Sequence, residues 1–249
     1  MKIKISFCAF LILTFVCVNY AQIVKITPKK IVYKRTAKDA REYKKTFTVT
    51  YPKVSGLNAV LNKKIENAIS YERVFDFKLK EEIAEIFWLE HADFKTEYNR
   101  SGVLVVALTM DGSGAYPSIY TKHVVVDTKT GLQVKSADVF IAGKTNQLVK
   151  LIDNELQKTM KQAIAEAGKQ NAEDGKELTE MLGERKFVAE ELNHFSVNNR
   201  GVTFYYDYGF PHVALALEPN GEFFLPFSKL REFIKRDGLL GRFVRKSRE

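Results

Sequence analysis

Along this chain the period of the apolar positions changes several times, and each change marks an element. Lys45 to Tyr51 alternates apolar and polar side chains, as a half-buried strand does, and Pro52 ends it. Leu57, Val60, Leu61, Ile65, Ala68 and Ile69 then recur at helical spacing opposite Asn62, Lys63, Glu66 and Asn67, with Ser55 or Asn58 as cap. Residues 78–88 begin as helix, Ala92 to Tyr98 reads as a strand, and Val103 to Leu108 is the strongest strand signal present. Both faces of that last segment are apolar, Leu104, Val106 and Leu108 on one and Val103, Val105 and Ala107 on the other. It is therefore expected to be central and covered on both sides. A loop at Asp111 to Gly114, a strand over Ile119 to Asp127, a tight turn at Thr128 to Gly131 and a return strand opening at Leu132 complete this part.

Gln147 to Ala167 is a second amphipathic helix, with Leu148, Leu151, Ile152, Leu156, Met160, Ile164 and Ala167 inward. Residues 168–186 are polar and carry Gly168, Gly175 and Gly183, which predicts a surface insertion with a short helix at Leu178 to Leu182. On that reading Leu104→Ala costs about 2–5 kcal/mol and Leu178→Ala much less. A β-meander follows, with strands at Phe195 to Asn198, Val202 to Tyr206 and Val213 to Leu217. Pro219-Asn220-Gly221 then turns into Glu222 to Pro226, and a last helix runs from Ser228 to Arg236.

The expected class is α+β: antiparallel sheets each packed by a long amphipathic helix, in a single compact unit of two halves, residues 43–131 and 132–237. Before them lies a polar leader, residues 22–42, whose Ile23, Val24, Ile26, Ile31 and Val32 suit an edge strand as well as its lysines suit a flexible spacer. After them comes a basic tail, residues 238–249.

The first 21 residues add an expected compartment to the picture of a fold, in the form of a secretory signal: Lys2 and Lys4, an apolar run from Ile5 to Val18, and a small residue at Ala21. The run is shorter than the roughly 20 residues that span a bilayer. An uncleaved anchor, or a lipoprotein beginning at Cys17, is the alternative. Cleavage after Ala21 removes both cysteines, Cys8 and Cys17, and with them disulfides, thiolate metal sites and thiol nucleophiles. It also lowers the formal charge from +9 to about +7. An exported basic protein is drawn to anionic envelope polymers and headgroups. Nucleic acid is not the expected partner, because the charges are scattered rather than interleaved with stacking aromatics.

Chemistry is sparse. His91, His123, His194 and His212 stand too far apart for a helical metal pair, so no metal or cofactor is expected. Ser113 in Gly112-Ser113-Gly114 lacks the glycine spacing and the strand-to-helix setting of a nucleophile elbow. Glu90, His91 and Asp93, with Asp111, are the one acid/base candidate, but alternation along a strand turns Glu90 away from the other two. The candidate binding residues are aromatic: Tyr205, Tyr206, Tyr208 and Phe210, with His212 and Tyr116. Exposed tyrosines suit recognition, whereas strand tyrosines also pack as cross-strand neighbours. In the tail, Lys235, Arg236, Arg242, Arg245, Lys246 and Arg248 beside Leu239, Leu240, Phe243 and Val244 suit a frayed, solvated end and, as the alternative, contact with a membrane surface.

Three segments in order carry a resemblance. They are Val103 to Leu108 leading to Gly114-Ala115-Tyr116-Pro117 and Asp127 to Gly131; Asp138-Val139-Phe140 ahead of the long helix; and Gly201 to Tyr206, Tyr208 to Pro211 and Phe224 to Phe227 with Leu230. Over roughly residues 43–236 this order resembles the bacterial domain family of the extracytoplasmic region of the anti-sigma factor RsiV, which also supplies accessory modules of peptidoglycan deacetylases. The family has histidine where this chain has Tyr116, so no role of that histidine carries over. The resemblance implies a non-catalytic, periplasmic or extracellular binding module that recognises a lysozyme-like protein or a cell-wall glycan. The alternative is a peptidoglycan-modifying hydrolase or its accessory subunit.

Overall fold

The computed structural model describes residues 23–36, 44–86 and 88–245. Residues 1–21, read above as a secretory signal, part of the leader, Phe87 and the last four residues of the basic tail lie outside the described residues.

Long alternating stretches become long strands. β1 (Lys25–Lys34) pairs antiparallel along its whole length with β2 (Thr46–Ser55), so the edge-strand alternative for the leader is the one realised. β2 meets β3 (Leu89–Arg100) in a brief parallel contact at Thr48/His91 and Val49/Ala92. A parallel pair needs a crossover. It is supplied by α1 (Ala59–Ala68), α2 (Tyr71–Val74) and α3 (Leu79–Glu81), which runs on into one π-helical turn. Asn58 caps α1 by accepting from the Leu61 amide at 2.9 Å. β3, β4 (Val103–Ser113) and β5 (Pro117–Asp127) then form successive antiparallel hairpins. β6 (Leu132–Gln133) covers β5 at Val126 and Asp127 alone, which completes a curled six-stranded sheet in sequence order.

β4 is the shared wall of two cores. Leu104, Val106, Leu108 and Met110 pack with Ile65, Ile69 and Tyr71 beneath α1. Val103 and Val105 face the opposite way, onto Leu148, Ile152 and Leu156 of α5 (Thr145–Gln170) and the aromatic residues of the second sheet. Both faces are buried, as the run of apolar residues required. Val60, placed on the inner face of α1 by spacing, instead points to solvent.

After β6 the chain passes through α4 (Ser136–Val139) into α5 and then α6 (Ala172–Leu182). Here the expectation for residues 168–186 fails. α6 folds back against α5, and Leu178, Leu182 and Phe187 sit in the second core. The glycines read as loop punctuation are a close crossing: a side chain at Gly175 would lie 2.7 Å from the Gly168 Cα. Asp153 of α5 accepts from the Phe187 amide at 2.9 Å and ties down the return.

The second sheet has three short antiparallel strands, β7 (Phe195–Val197), β8 (Gly201–Tyr205) and β9 (Glu222–Pro226). Residues Val213 to Leu217 are not a strand but part of a 3₁₀ helix, His212–Leu217, and Asn220-Gly221 does not join a two-residue hairpin because β9 pairs with β8. The helix expected over Ser228 to Arg236 is a single turn, α7 (Phe227–Leu230), and a further short helix, α8 (Gly241–Val244), forms in the tail. Leu240 and Val244 of the tail are buried and Phe243 stacks on Phe227 at 4.9 Å, so the apolar residues expected at a frayed end or against a membrane fill the second core instead.

Candidate functional site

A cleft of about 1430 Å³ runs along the first half of β5, between the two sheets. One wall is residues 114–124 with Trp88, Arg73 and Val74; the other is residues 205–210 and 218–222 with His194 and His212. Strand alternation sorts the first wall. Lys122, Tyr120 and Ser118 pair across β4 with Leu108, Met110 and Gly112 and share the α1 side. There Trp88 Nε1 donates to Ser118 Oγ at 3.2 Å, the Trp88 and Tyr120 rings meet at 5.5 Å, and the Lys122 ammonium donates to the Val74 carbonyl at 3.1 Å over the Phe75 ring.

The odd-numbered residues of β5 face the second sheet. His123 stacks on Tyr205 with ring centroids 3.9 Å apart and planes nearly parallel, and its Nε2 lies 3.6 Å from Glu97 Oε2. That is longer than a hydrogen bond, yet the imidazole still holds the Glu97 carboxyl below the usual range. Tyr205 also bonds Ser196 Oγ at 2.9 Å, and burial pushes its phenol up to about 12. Near the mouth Tyr116, on the β4–β5 turn, stacks on His212 at 4.8 Å.

All six candidate binding residues, Tyr116, Tyr205, Tyr206, Tyr208, Phe210 and His212, line this cleft. They do so unequally. Tyr208 and Phe210 are buried and support the wall, packed edge-on against Tyr206 and against each other, while Tyr116 is 57% exposed. Sequence reasoning missed Trp88, Tyr120 and His123, because an aromatic on an alternating strand looks the same whether it packs on a neighbour or lines a groove. It also missed the acidic wall. Asp207, Glu218 and Glu222 line one side of the cleft. Burial first, then the Asp207 charge, raises the Glu218 carboxyl, while the Tyr208 backbone and then Arg185 pull the other way.

The acid/base candidates lie elsewhere. His91 stands opposite Asp111 in the ladder, but Glu90 turns away into a staple across the strand ends. The Lys44 ammonium donates to Glu90 Oε1 at 2.7 Å, to the Ser113 carbonyl at 2.7 Å and to Ser113 Oγ at 2.9 Å. Ser113 Oγ in turn donates to Glu90. Lys44 first, then Ser113, holds the Glu90 carboxyl below its ordinary range. An ammonium donating in this way is not the base a serine nucleophile needs, and none of Glu90, His91, Asp93 or Asp111 lines the cleft. Among the described residues no group of three His, Cys, Asp or Glu is placed to hold a metal ion, and no helix is long and apolar enough to cross a membrane.

No family model matches the chain, and no curated relative does. Solved structures do share its architecture. A DUF3298 family protein from Bacteroides fragilis aligns at TM-score 0.55 and 16% identity, over 90% of this chain and 97% of that one. A DUF3298 family protein from Pseudomonas aeruginosa PAO1 aligns at TM-score 0.52 and 12% identity, over 86% and 94%. At such identities the likeness is one of fold, and it extends over nearly the whole of both chains: this protein has the architecture of DUF3298 domains.

Proposed function

We propose that the chain is an exported, non-catalytic binding module of the bacterial envelope, and that its cleft receives a basic secreted protein of the lysozyme-like kind. The acidic wall carries this reading. An exported chain of formal charge about +7 repels basic partners at long range, yet Asp207, Glu218 and Glu222 gather on one side of this cleft. Export rests on the apolar N-terminal segment, and the ligand class rests on the resemblance to the RsiV extracytoplasmic family.

A second reading has its own observation. Trp88, Tyr120 and Tyr116 offer ring faces beside polar groups, the arrangement on which a cell-wall glycan stacks. Titration of the purified protein with a lysozyme and, separately, with soluble peptidoglycan fragments separates the two. Protein binding that weakens about tenfold or more in the Glu222→Lys, Asp207→Lys variant supports the first reading. Binding of fragments alone, lost in Tyr120→Ala and intact in the charge variant, supports the second. Binding of neither ligand sinks both.

A further inference from the structure

The sheet has two edges, and they are finished differently. β1 carries Lys25, Pro28, Lys29, Lys30 and Lys34, the lysines and proline that keep an edge from pairing with another chain. At the other edge β6 covers only Val126 and Asp127, with the Val134 amide donating to the Val125 carbonyl at 2.8 Å. That bond fixes the direction of the backbone. In an antiparallel strand the amide and carbonyl of one residue point the same way and alternate along the chain. With no register shift between β4 and β5, Ile119, Thr121 and His123 turn their amides and carbonyls outward, as Val125 does. Among the described residues none of these groups has a main-chain partner, and all three residues line the cleft. This edge has no proline after Pro117 and one lysine, Lys122, whose ammonium is engaged by the Val74 carbonyl.

We propose that this open edge is a strand-docking site, where an extended basic segment of a partner protein adds beyond β6 and pairs with Ile119, Thr121 and His123. The inference rests on the reading of the cleft as a protein-binding site and supplies its mode. Side chains of an added strand alternate between the two walls. Those directed at Asp207 and Glu222 are lysine or arginine; those directed at Trp88 and Tyr120 are apolar or aromatic. Main-chain pairing supplies affinity and the alternation supplies selection.

The probe is a short acetylated and amidated peptide alternating lysine and valine, titrated into the full chain by calorimetry with amide hydrogen exchange in parallel. Binding is expected, with slowed exchange at the amides of Ile119, Thr121 and His123 and no change along β1. The same peptide N-methylated on its edge-facing residues keeps every side chain and loses its donors. It should bind at least about tenfold more weakly. Thr121→Pro should weaken binding similarly, since its amide points outward and a proline is tolerated there, whereas Thr121→Val should bind as the native chain does. If Thr121→Pro fails to fold, the N-methylated peptide on the native protein decides. Equal binding of the two peptides overturns strand addition, as does unchanged exchange at the three amides or no binding of the parent peptide. A partner protein held equally by native and Thr121→Pro chains overturns it too, while leaving the function of the cleft standing. Self-association that disappears in Thr121→Pro replaces the partner peptide with a second copy of this chain.

Discussion

The two cores meet at β4 but are built in opposite ways. The first is made by long strands under one ten-residue helix, α1, with registers that run unbroken along β1–β2 and β4–β5. The second is made by a helix of 26 residues, α5, with α6 against it and three strands of no more than five residues. In the first, hydrogen-bonded ladders set the geometry and side chains fill the space beneath. In the second, rings and aliphatic side chains set it, through contacts such as Phe140 with Phe195 and Phe204. The lesson is that a β-rich core can borrow much of its cover from segments whose sequence looks too polar to belong inside.

The largest effect is expected in the first core. Arg35 and Glu82 are both buried; the guanidinium donates to Glu82 Oε1 at 2.5 Å and to the Leu89 carbonyl at 2.6 Å, and Glu82 also accepts the Leu89 amide. The pair clamps the end of β1 to the start of β3. Removing one partner strands the other, so Glu82→Ala should lose about 3–5 kcal/mol in urea unfolding. A loss under about 1 kcal/mol would mean that the ladder alone holds this edge.

Leu104→Ala and Leu178→Ala sharpen the comparison directly, one from each core. Both side chains are buried, at 0% and 1% exposure, so each should cost about 2–5 kcal/mol. This reverses the ranking that the polarity of residues 168–186 suggests. A cost at Leu178 below about 0.5 kcal/mol, with full cost at Leu104, would return α6 to the status of an appendage.

Next comes Gly175, where two influences oppose each other. Helix propensity favours alanine by about 1 kcal/mol. A Cβ there, however, meets backbone of Gly168 at 2.7 and 2.9 Å, which a flexible neighbour cannot relieve. Gly175→Ala should therefore lower stability by about 1–2 kcal/mol net. A higher melting temperature instead would show that α5 and α6 are not in close contact at this point.

The smallest effect lies between the cores. Glu97 is held below the usual carboxylate range by His123. A depressed folded value means that the contribution is present above the unfolded value and is lost as pH falls through the folded one. The stability difference between native and Glu97→Gln proteins should therefore shrink as pH falls through the carboxylate range and vanish below it. A difference that persists undiminished below the carboxylate range has the wrong sign for this pairing.

Legibility followed element length. The alternation of Lys45 to Tyr51 and the doubly apolar run Val103 to Leu108 each reported a strand, because many side chains on one face obey the same constraint. Val213 to Leu217 has the composition of a strand, but the chain around it already had its hydrogen bonds elsewhere. β9 pairs with β8, and the segment closes into 3₁₀ turns with Val213 84% exposed. Tyr208 and Phe210 carried no sign separating them from Tyr205 and Tyr206. All four belong to one aromatic stretch, and burial was assigned by what packed behind it.

By itself the sequence determined the class of the fold, the central strand with two covered faces, the two amphipathic helices and the aromatic character of the segment that lines the cleft. These are local matters of period and side-chain type, and neighbours three or four residues away enforce them. Only the tertiary structure decided that α6 is core, that the apolar tail is used internally, that Trp88 and Tyr120 on one side of β5 and Tyr205 and Glu222 on the other line one cleft, and that β6 stops short and leaves β5 open. Each of these depends on contacts between residues far apart in the chain. A glycine at a helix crossing and a glycine in a loop are the same letter, and only the partner that approaches within 3 Å tells them apart.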